Sequence, residues 1–217
     1  MEIAANPAAN VRKTDYPRQI NKTLARISPW WIYGLGLIPA AWYFYLGAVN
    51  DLGANPIQSF EHLLGEWALR FMIATLLVTP IRDLTRVNFY RFRRALGLLT
   101  FYYVLFHFLT YFTLDRGMNL PVIFVDIVKR PYIIVGMVAF VCLIALAATS
   151  SNRAIRALGR GWALLHKLVY VVATLGVIHF FMAVKSWPPR PSVYATIIGV
   201  LLAYRLFVWV RDQRRAA

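Results

Sequence analysis

Three of the four histidines in this 217-residue chain, His107, His166 and His179, fall inside apolar stretches. An ionisable side chain in such a setting is expensive and marks function more often than a surface one does. His107 stands in Tyr-Tyr-Val-Leu-Phe-His-Phe-Leu, His166 in Leu-Leu-His-Lys-Leu and His179 in Val-Ile-His-Phe-Phe. Imidazoles facing one another across an apolar bundle suit the axial positions of a haem iron. Zinc is poorly served, because the one cysteine, Cys142, stands alone in an apolar run with no carboxylate nearby, where packing is its default role. No Asp or Glu is expected deep in a span, which argues against a proton relay or an ion carrier. A single membrane histidine can do no more than hydrogen-bond a neighbouring helix, so the case for a cofactor rests on the triplet. His62, beside Glu61, is expected to be a solvated loop residue.

The elements that must carry these residues are legible from composition. Hydrophobic residues make up 59% of the chain and charged residues 15%, with a formal charge of +15. Soluble domains carry roughly 25% charged residues. Disorder and a disulfide framework are excluded by the apolar content and the single cysteine. The apolar residues cluster in six runs, 30–49, 67–84, 95–114, 132–148, 162–184 and 192–210, each long enough to cross a hydrocarbon core of about 30 Å. Alternation is missing from them, so the fold class is all-α, a six-helix transmembrane bundle. Residues 1–29 form an N-terminal segment and 211–217 a tail. A cleaved signal peptide is not expected, since the first apolar run is long and follows a polar stretch.

Charge sets the orientation. Arg12, Lys13, Arg18, Lys22 and Arg26 precede the first run; Arg82, Arg86, Arg91, Arg93 and Arg94 follow the second; Arg153, Arg156 and Arg160 follow the fourth; Arg211, Arg214 and Arg215 follow the last. The other side has only Arg116, Lys129, Arg130, Lys185 and Arg190, against Asp51, Glu61, Glu66, Asp115 and Asp126. By the positive-inside rule both termini are cytoplasmic. The same asymmetry accounts for the high isoelectric point through anionic membrane lipid, and no motif suggests nucleic acid. Most tryptophans, Trp30, Trp31, Trp67, Trp162, Trp187 and Trp209, sit at span ends as interfacial anchors.

The third and fifth runs point the same way across the membrane, so their depths compare directly. His107 lies ~20 Å beyond Arg94 and His179 ~25 Å beyond Trp162 at 1.5 Å per residue. Both belong in the outer half and can grip one haem from two sides. His166 lies ~20 Å nearer the cytoplasm than His179 and, on an ideal helix, roughly 140° away in azimuth, so it needs another partner. Arg70 and Lys167 are expected to snorkel, and Arg70, on the outer side, is a candidate for a haem propionate.

Several motifs together resemble the haem-binding membrane subunits of periplasmic methionine sulfoxide reductase systems, part of the ferric-reductase-like transmembrane group that includes the NADPH oxidases. They are Tyr16-Pro17-Arg18, Thr79-Pro80 before an Arg-rich loop, Arg93-Arg94-Ala95-Leu96-Gly97-Leu98, the stretch from Tyr103 to His107, and Leu165-His166-Lys167-Leu168-Val169-Tyr170 ahead of His179. The resemblance implies an electron conduit of the bacterial inner membrane. It implies His107, His166 and His179 as ligands of haem b, one site secure in His107 with His179 and a second at His166. The oxidases carry a further histidine about fourteen residues before the one matching His107; Arg93 stands there in this chain, so the second site lacks that ligand. FMN is implied as well, with no residue pattern to locate it.

Electrons are expected from the quinone pool or a cytoplasmic flavin reductase, because no flavin or nicotinamide domain occurs in these residues. They are expected to leave to a periplasmic molybdopterin methionine sulfoxide reductase, which performs the catalytic step. Two axial imidazoles leave no open iron position, so no catalytic residue is expected in this chain. Asp115, Asp126 and Trp187 form the expected docking surface. The rival readings are a self-sufficient transmembrane ferric reductase or quinol oxidase, and a non-redox transporter or scaffold.

Overall fold

The computed structural model describes residues 16–184 and 189–216; Arg12, Lys13, Lys185 and Trp187 lie outside them. The regular structure within these residues is helical. A short helix α1 (Tyr16–Arg26) precedes α2 (Trp30–Ala48) and α3 (Pro56–Thr85). Next comes α4 (Arg93–Leu109), continued by a π-helical turn at Thr110–Asp115, and then α5 (Leu120–Lys129) and α6 (Pro131–Ala148). The chain closes with α7 (Asn152–Leu158), α8 (Arg160–Leu165), α9 (Leu168–Ala183) and α10 (Pro189–Ala216).

Among the described residues five stretches are long and apolar enough to cross a membrane: α3, α4 with its π-helical continuation, α6, α8 with α9, and α10. The first expected span, α2, is a helix of 19 residues but is not among the five. It carries three Trp and three Tyr, side chains that favour the interface over the hydrocarbon centre.

Three elements differ from the sequence reading. Helix α3 starts at Pro56, eleven residues before the expected 67, because Asn55 caps it, its side chain accepting from the Gln58 N–H at 3.2 Å, and proline takes the first helical position. Glu61, His62 and Glu66 are therefore helical residues, with Glu66 buried and His62 exposed. The expected loop at 120–129 is the helix α5, capped by Asn119, whose side chain accepts from Val122 N–H at 3.3 Å. The fifth run is interrupted at His166 and Lys167, where α8 ends and α9 begins; Lys167, Val169 and Tyr170 N–H groups bond carbonyls three residues back. The 140° azimuth between His166 and His179 assumed a regular helix and does not apply across that tightened turn.

Helices α3 with α4, and α6 with α9, pack along their lengths, while α4 and α9 approach each other sparsely. One buried cluster joins α3, α6, α9 and α10 through Leu69, Met72, Leu76, Leu143, Val172 and Ile198, with Cys142 packed against it. A second joins α2, α3 and α4 through Ala40, Leu64, Ala68, Leu99 and Tyr103. Elsewhere large apolar side chains such as Leu35, Phe44, Val141, Val200 and Phe207 are exposed, as surfaces facing lipid should be.

Two prolines inside helices account for specific long-range bonds. Pro80 has no N–H, so the carbonyl of Leu76 lacks its usual partner four residues on; Arg205 of α10 donates to that carbonyl at 3.4 Å. In α2, beside Pro39, the Tyr103 hydroxyl donates to Gly36 O at 2.7 Å and accepts from Ala40 N–H at 3.1 Å. Those two groups would pair with each other in a regular helix, so the hydroxyl sits in the backbone ladder. Gly36 makes the approach possible: a Cβ there would lie 2.4 Å from Leu99 Cδ1. Tyr103→Phe removes both bonds from a fully buried position and should cost about 1–3 kcal/mol. Thermal denaturation of the detergent-solubilised protein should show the loss, and an unchanged midpoint would show that the α2 ladder closes on itself without the hydroxyl.

Candidate functional site

His107, near the C-terminal end of α4, and His179, in the last two turns of α9, meet as the depth comparison predicts. Their ring centroids are 6.1 Å apart and their planes nearly perpendicular, at 87°. Each ring is oriented by a helix other than its own. His107 Nδ1 lies 2.8 Å from the carbonyl of Glu61 in α3, and His179 Nδ1 lies 2.7 Å from the carbonyl of Tyr132 in α6. A carbonyl can only accept, so Nδ1 carries the proton in both rings and each Nε2 keeps its lone pair. A bond of this kind from Nδ1 to a carbonyl fixes the tautomer of a metal-bound histidine and raises its basicity.

A glycine stands at the same offset from each of these carbonyls. A helical carbonyl points towards the residue four places on, whose side chain would crowd any group approaching from outside. Four residues after Glu61 is Gly65, where a Cβ would come 3.5 Å from His107 Nδ1. Four residues after Tyr132 is Gly136, where a Cβ would come 2.8 Å from His179 Nδ1 and 2.9 Å from Cε1. The first contact is ordinary; the second is too close for any other residue without displacing the imidazole. The walls nearby are aromatic: Phe140 packs against Phe108 at 5.2 Å and Phe101 at 6.3 Å, and Tyr132 against His179 at 5.8 Å.

A carboxylate also belongs to this site. Glu61 Oε1 is 4.0 Å from His107 Nε2, with the Glu61 side chain largely buried. The expectation that no acid accompanies the membrane histidines is corrected here, and with it the argument from missing acids against a transporter. The signal that finds Glu61 in the sequence is Asn55-Pro56, a cap followed by a first-turn proline, which starts α3 early enough to bring Glu61 level with His107.

His166 is built differently. It lies in the turn between α8 and α9, its Nδ1 3.2 Å from the carbonyl of Trp162 and its ring stacked on Trp162 at 4.0 Å. Trp162 is itself tied to the carbonyl of Thr149 at 2.9 Å. The His166 Nε2 is buried and has no hydrogen-bond partner, so it too presents a lone pair. Arg93 is within electrostatic reach of His166.

Arg70 is engaged on the α10 side: it donates to Glu66 at 3.1 Å and to the Tyr194 hydroxyl at 2.9 Å, and lies over Trp67. Arg190 donates to the other Glu66 oxygen at 3.1 Å, so two guanidinium groups share one buried carboxylate. Asp126, expected on the docking surface, is buried and bound by Arg116, Arg130 and the Tyr111 hydroxyl. Folding of 120–129 into α5 turns it inward. Asp115 keeps partial exposure beside Arg116, at 3.3 Å.

Comparison with known proteins places this arrangement in a family. A model described as the ferric reductase like transmembrane component matches residues 64–177, a segment that holds His107 and His166 and ends two residues before His179. The protein-methionine-sulfoxide reductase heme-binding subunit MsrQ of Brucella anthropi is 59% identical over 177 residues, which cover 82% of this chain and 80% of that protein. Its namesakes in Brucella ovis and Brucella canis are each 54% identical over 199 residues, covering 92% of this chain and 88% of theirs. The chain belongs to the ferric-reductase-like transmembrane family and, within it, to the methionine sulfoxide reductase heme-binding subunits called MsrQ.

Proposed function

We propose that this chain is a b-type cytochrome that carries electrons across the bacterial inner membrane to a periplasmic molybdopterin methionine sulfoxide reductase. The observation that carries the reading is the facing pair His107 and His179, each with Nδ1 satisfied by a backbone carbonyl so that Nε2 keeps its lone pair. These two would be the axial ligands, and the printed names of the relatives, heme-binding subunits, agree with that use. When bound, haem would supply one-electron chemistry.

The chain's own residues supply the setting. The carbonyls of Glu61 and Tyr132 hold the imidazoles in one tautomer, and Gly136 lets the His179 ring reach its carbonyl. Phe101, Phe108 and Phe140 keep the neighbourhood apolar. Glu66 with Arg70 and Arg190 retains one uncompensated positive charge, from which Arg70 would reach a propionate. On the cytoplasmic side His166 would hold a second haem through its one free nitrogen, with Arg93 in place of an opposing histidine. Electrons would enter there from the quinone pool or a flavin reductase; no residue is assigned to FMN. This reading takes α2 as the sixth crossing, with both termini cytoplasmic, as the basic residues of α1, the α3–α4 turn, α7 and the end of α10 support.

A reduced-minus-oxidised spectrum of the purified protein, with haem counted per chain, tests the assignment. Wild type should give a b-type spectrum. His107→Ala and His179→Ala should each lose most of the haem that this pair holds, and His166→Ala should alter the spectrum without abolishing it. A colourless wild type after expression with ample haem, or full haem in the His107→Ala/His179→Ala double variant, would overturn the reading. Fast reduction of ferric chelates by the chain without a partner would favour a self-sufficient reductase instead.

The glycines give a second test that leaves every histidine in place. Gly136→Ala should lower haem content severalfold, whereas Gly34→Ala, where a Cβ meets nothing within 4 Å, should leave it unchanged. Equal haem in both variants would show that the His179 ring is free to shift.

A further inference from the structure

The charged residues of α1 are not used by any electron-transfer role, and they converge with one residue from elsewhere. Arg18, Lys22 and Arg26 are four residues apart and form one stripe on the helix. Tyr16 and Ile20 form another, about 200° away at 3.6 residues per turn, and both are exposed. The helix is held against the turn after α3 by backbone-directed bonds. The Asn21 side chain donates to Arg86 O at 3.0 Å and accepts from Asn88 N–H at 2.8 Å. Arg91 donates to the carbonyls of Leu24 and Ala25. Docked this way, α1 and the turn enclose an open groove of about 590 Å³ lined by Pro17, Arg18, Asn21, Lys22, Ala25 and Arg86.

Three of those six side chains are cationic, and among the described residues none of the three pairs with a carboxylate. By contrast Arg82 pairs with Asp83, Arg116 with Asp115 and Asp126, and Arg70 and Arg190 share Glu66. The groove also sits at a membrane edge. Trp30 and Trp31, both strongly exposed, follow α1 after a short turn, and Arg86 directly follows the last residue of α3. A helix with an apolar stripe, an opposed cationic stripe and a span beginning four residues after its end is suited to lie in the headgroup layer.

We propose that this groove binds the phosphodiester headgroup of an anionic phospholipid, with Arg18 and Lys22 of α1 and Arg86 of the α3–α4 turn as its cationic contacts. The choice of lipid over a soluble anion follows from the apolar residues on α1 and the adjoining Trp pair, which would meet acyl chains when the phosphate is in place. The leaflet occupied follows the topology proposed above; the chemistry of the groove does not depend on it.

Native mass spectrometry of the full chain, delipidated in neutral detergent and titrated with phosphatidylglycerol or phosphatidylcholine, tests this and reports haem mass in the same spectra. Wild type should retain phosphatidylglycerol in preference to phosphatidylcholine. The Arg18→Gln/Lys22→Gln/Arg86→Gln variant should lose that preference by about tenfold or more, since a basic residue at an anionic surface contributes ~1 kcal/mol. The Arg153→Gln/Arg156→Gln/Arg160→Gln variant removes the same charge from exposed positions of α7 and α8 and should keep it. Equal losses in the two variants would reduce the effect to diffuse charge and overturn the groove. Displacement of the lipid from wild type by millimolar inorganic phosphate would overturn it in favour of a soluble anion. Lipid retention without haem would remove the cytochrome reading and leave the groove intact.

Discussion

An imidazole N–H inside a bilayer has to find an acceptor, and the only acceptors in quantity are helix carbonyls already bonded to their own helix. The site depends on solving that problem twice. In both cases the solution is a carbonyl that takes a second bond, with glycine four residues further along; at 136 no other residue would leave the ring its place. With Nδ1 committed to the neighbouring helix, each ring's orientation is set by that helix, so the close packing of α3 on α4 and of α6 on α9 fixes the two imidazoles as well as the bundle. The His107 Nε2 stays beside α3, 4.0 Å from the Glu61 carboxylate.

The same economy appears wherever a helix is interrupted. Pro80 leaves the Leu76 carbonyl unpaired, and Arg205 satisfies it from α10. At Pro39 the Tyr103 hydroxyl enters the ladder of α2. In water such groups would be solvated at little cost; in hydrocarbon each must be answered by protein. These bonds tie α10 to α3 and α2 to α4, so α2 and α10 are fixed to the same α3–α4 pair that sets His107.

Much of this was legible in the sequence, and what was not has a physical reason. The helical class, the apolar runs and the meeting of His107 with His179 follow from period and depth, which are properties of single helices. The early start of α3 was missed because Glu61, His62 and Glu66 look like loop residues by polarity, although Asn55-Pro56 announces a helix start. Burying Glu66 takes Arg70 from its own helix and Arg190 from α10, and the second of these is a tertiary contact that no local pattern shows. Asp126 repeats the lesson in α5. Gly136 was invisible for the same reason: it is unremarkable in its own helix and matters only because a histidine arrives from another.

The two ends of the bundle are held by different kinds of contact, and this bears on how each would tolerate change. His107 and His179 are oriented by α3 and α6, across contacts more than forty residues apart in sequence. His166 is oriented by Trp162, four residues earlier, in a turn that carries its own geometry. A shift of α3 against α4, or of α6 against α9, changes the orientation of His107 or His179 while leaving His166 where it is. The facing pair is thus bound to the integrity of the whole helix arrangement, whereas His166 is a local structure whose ring direction survives such a shift.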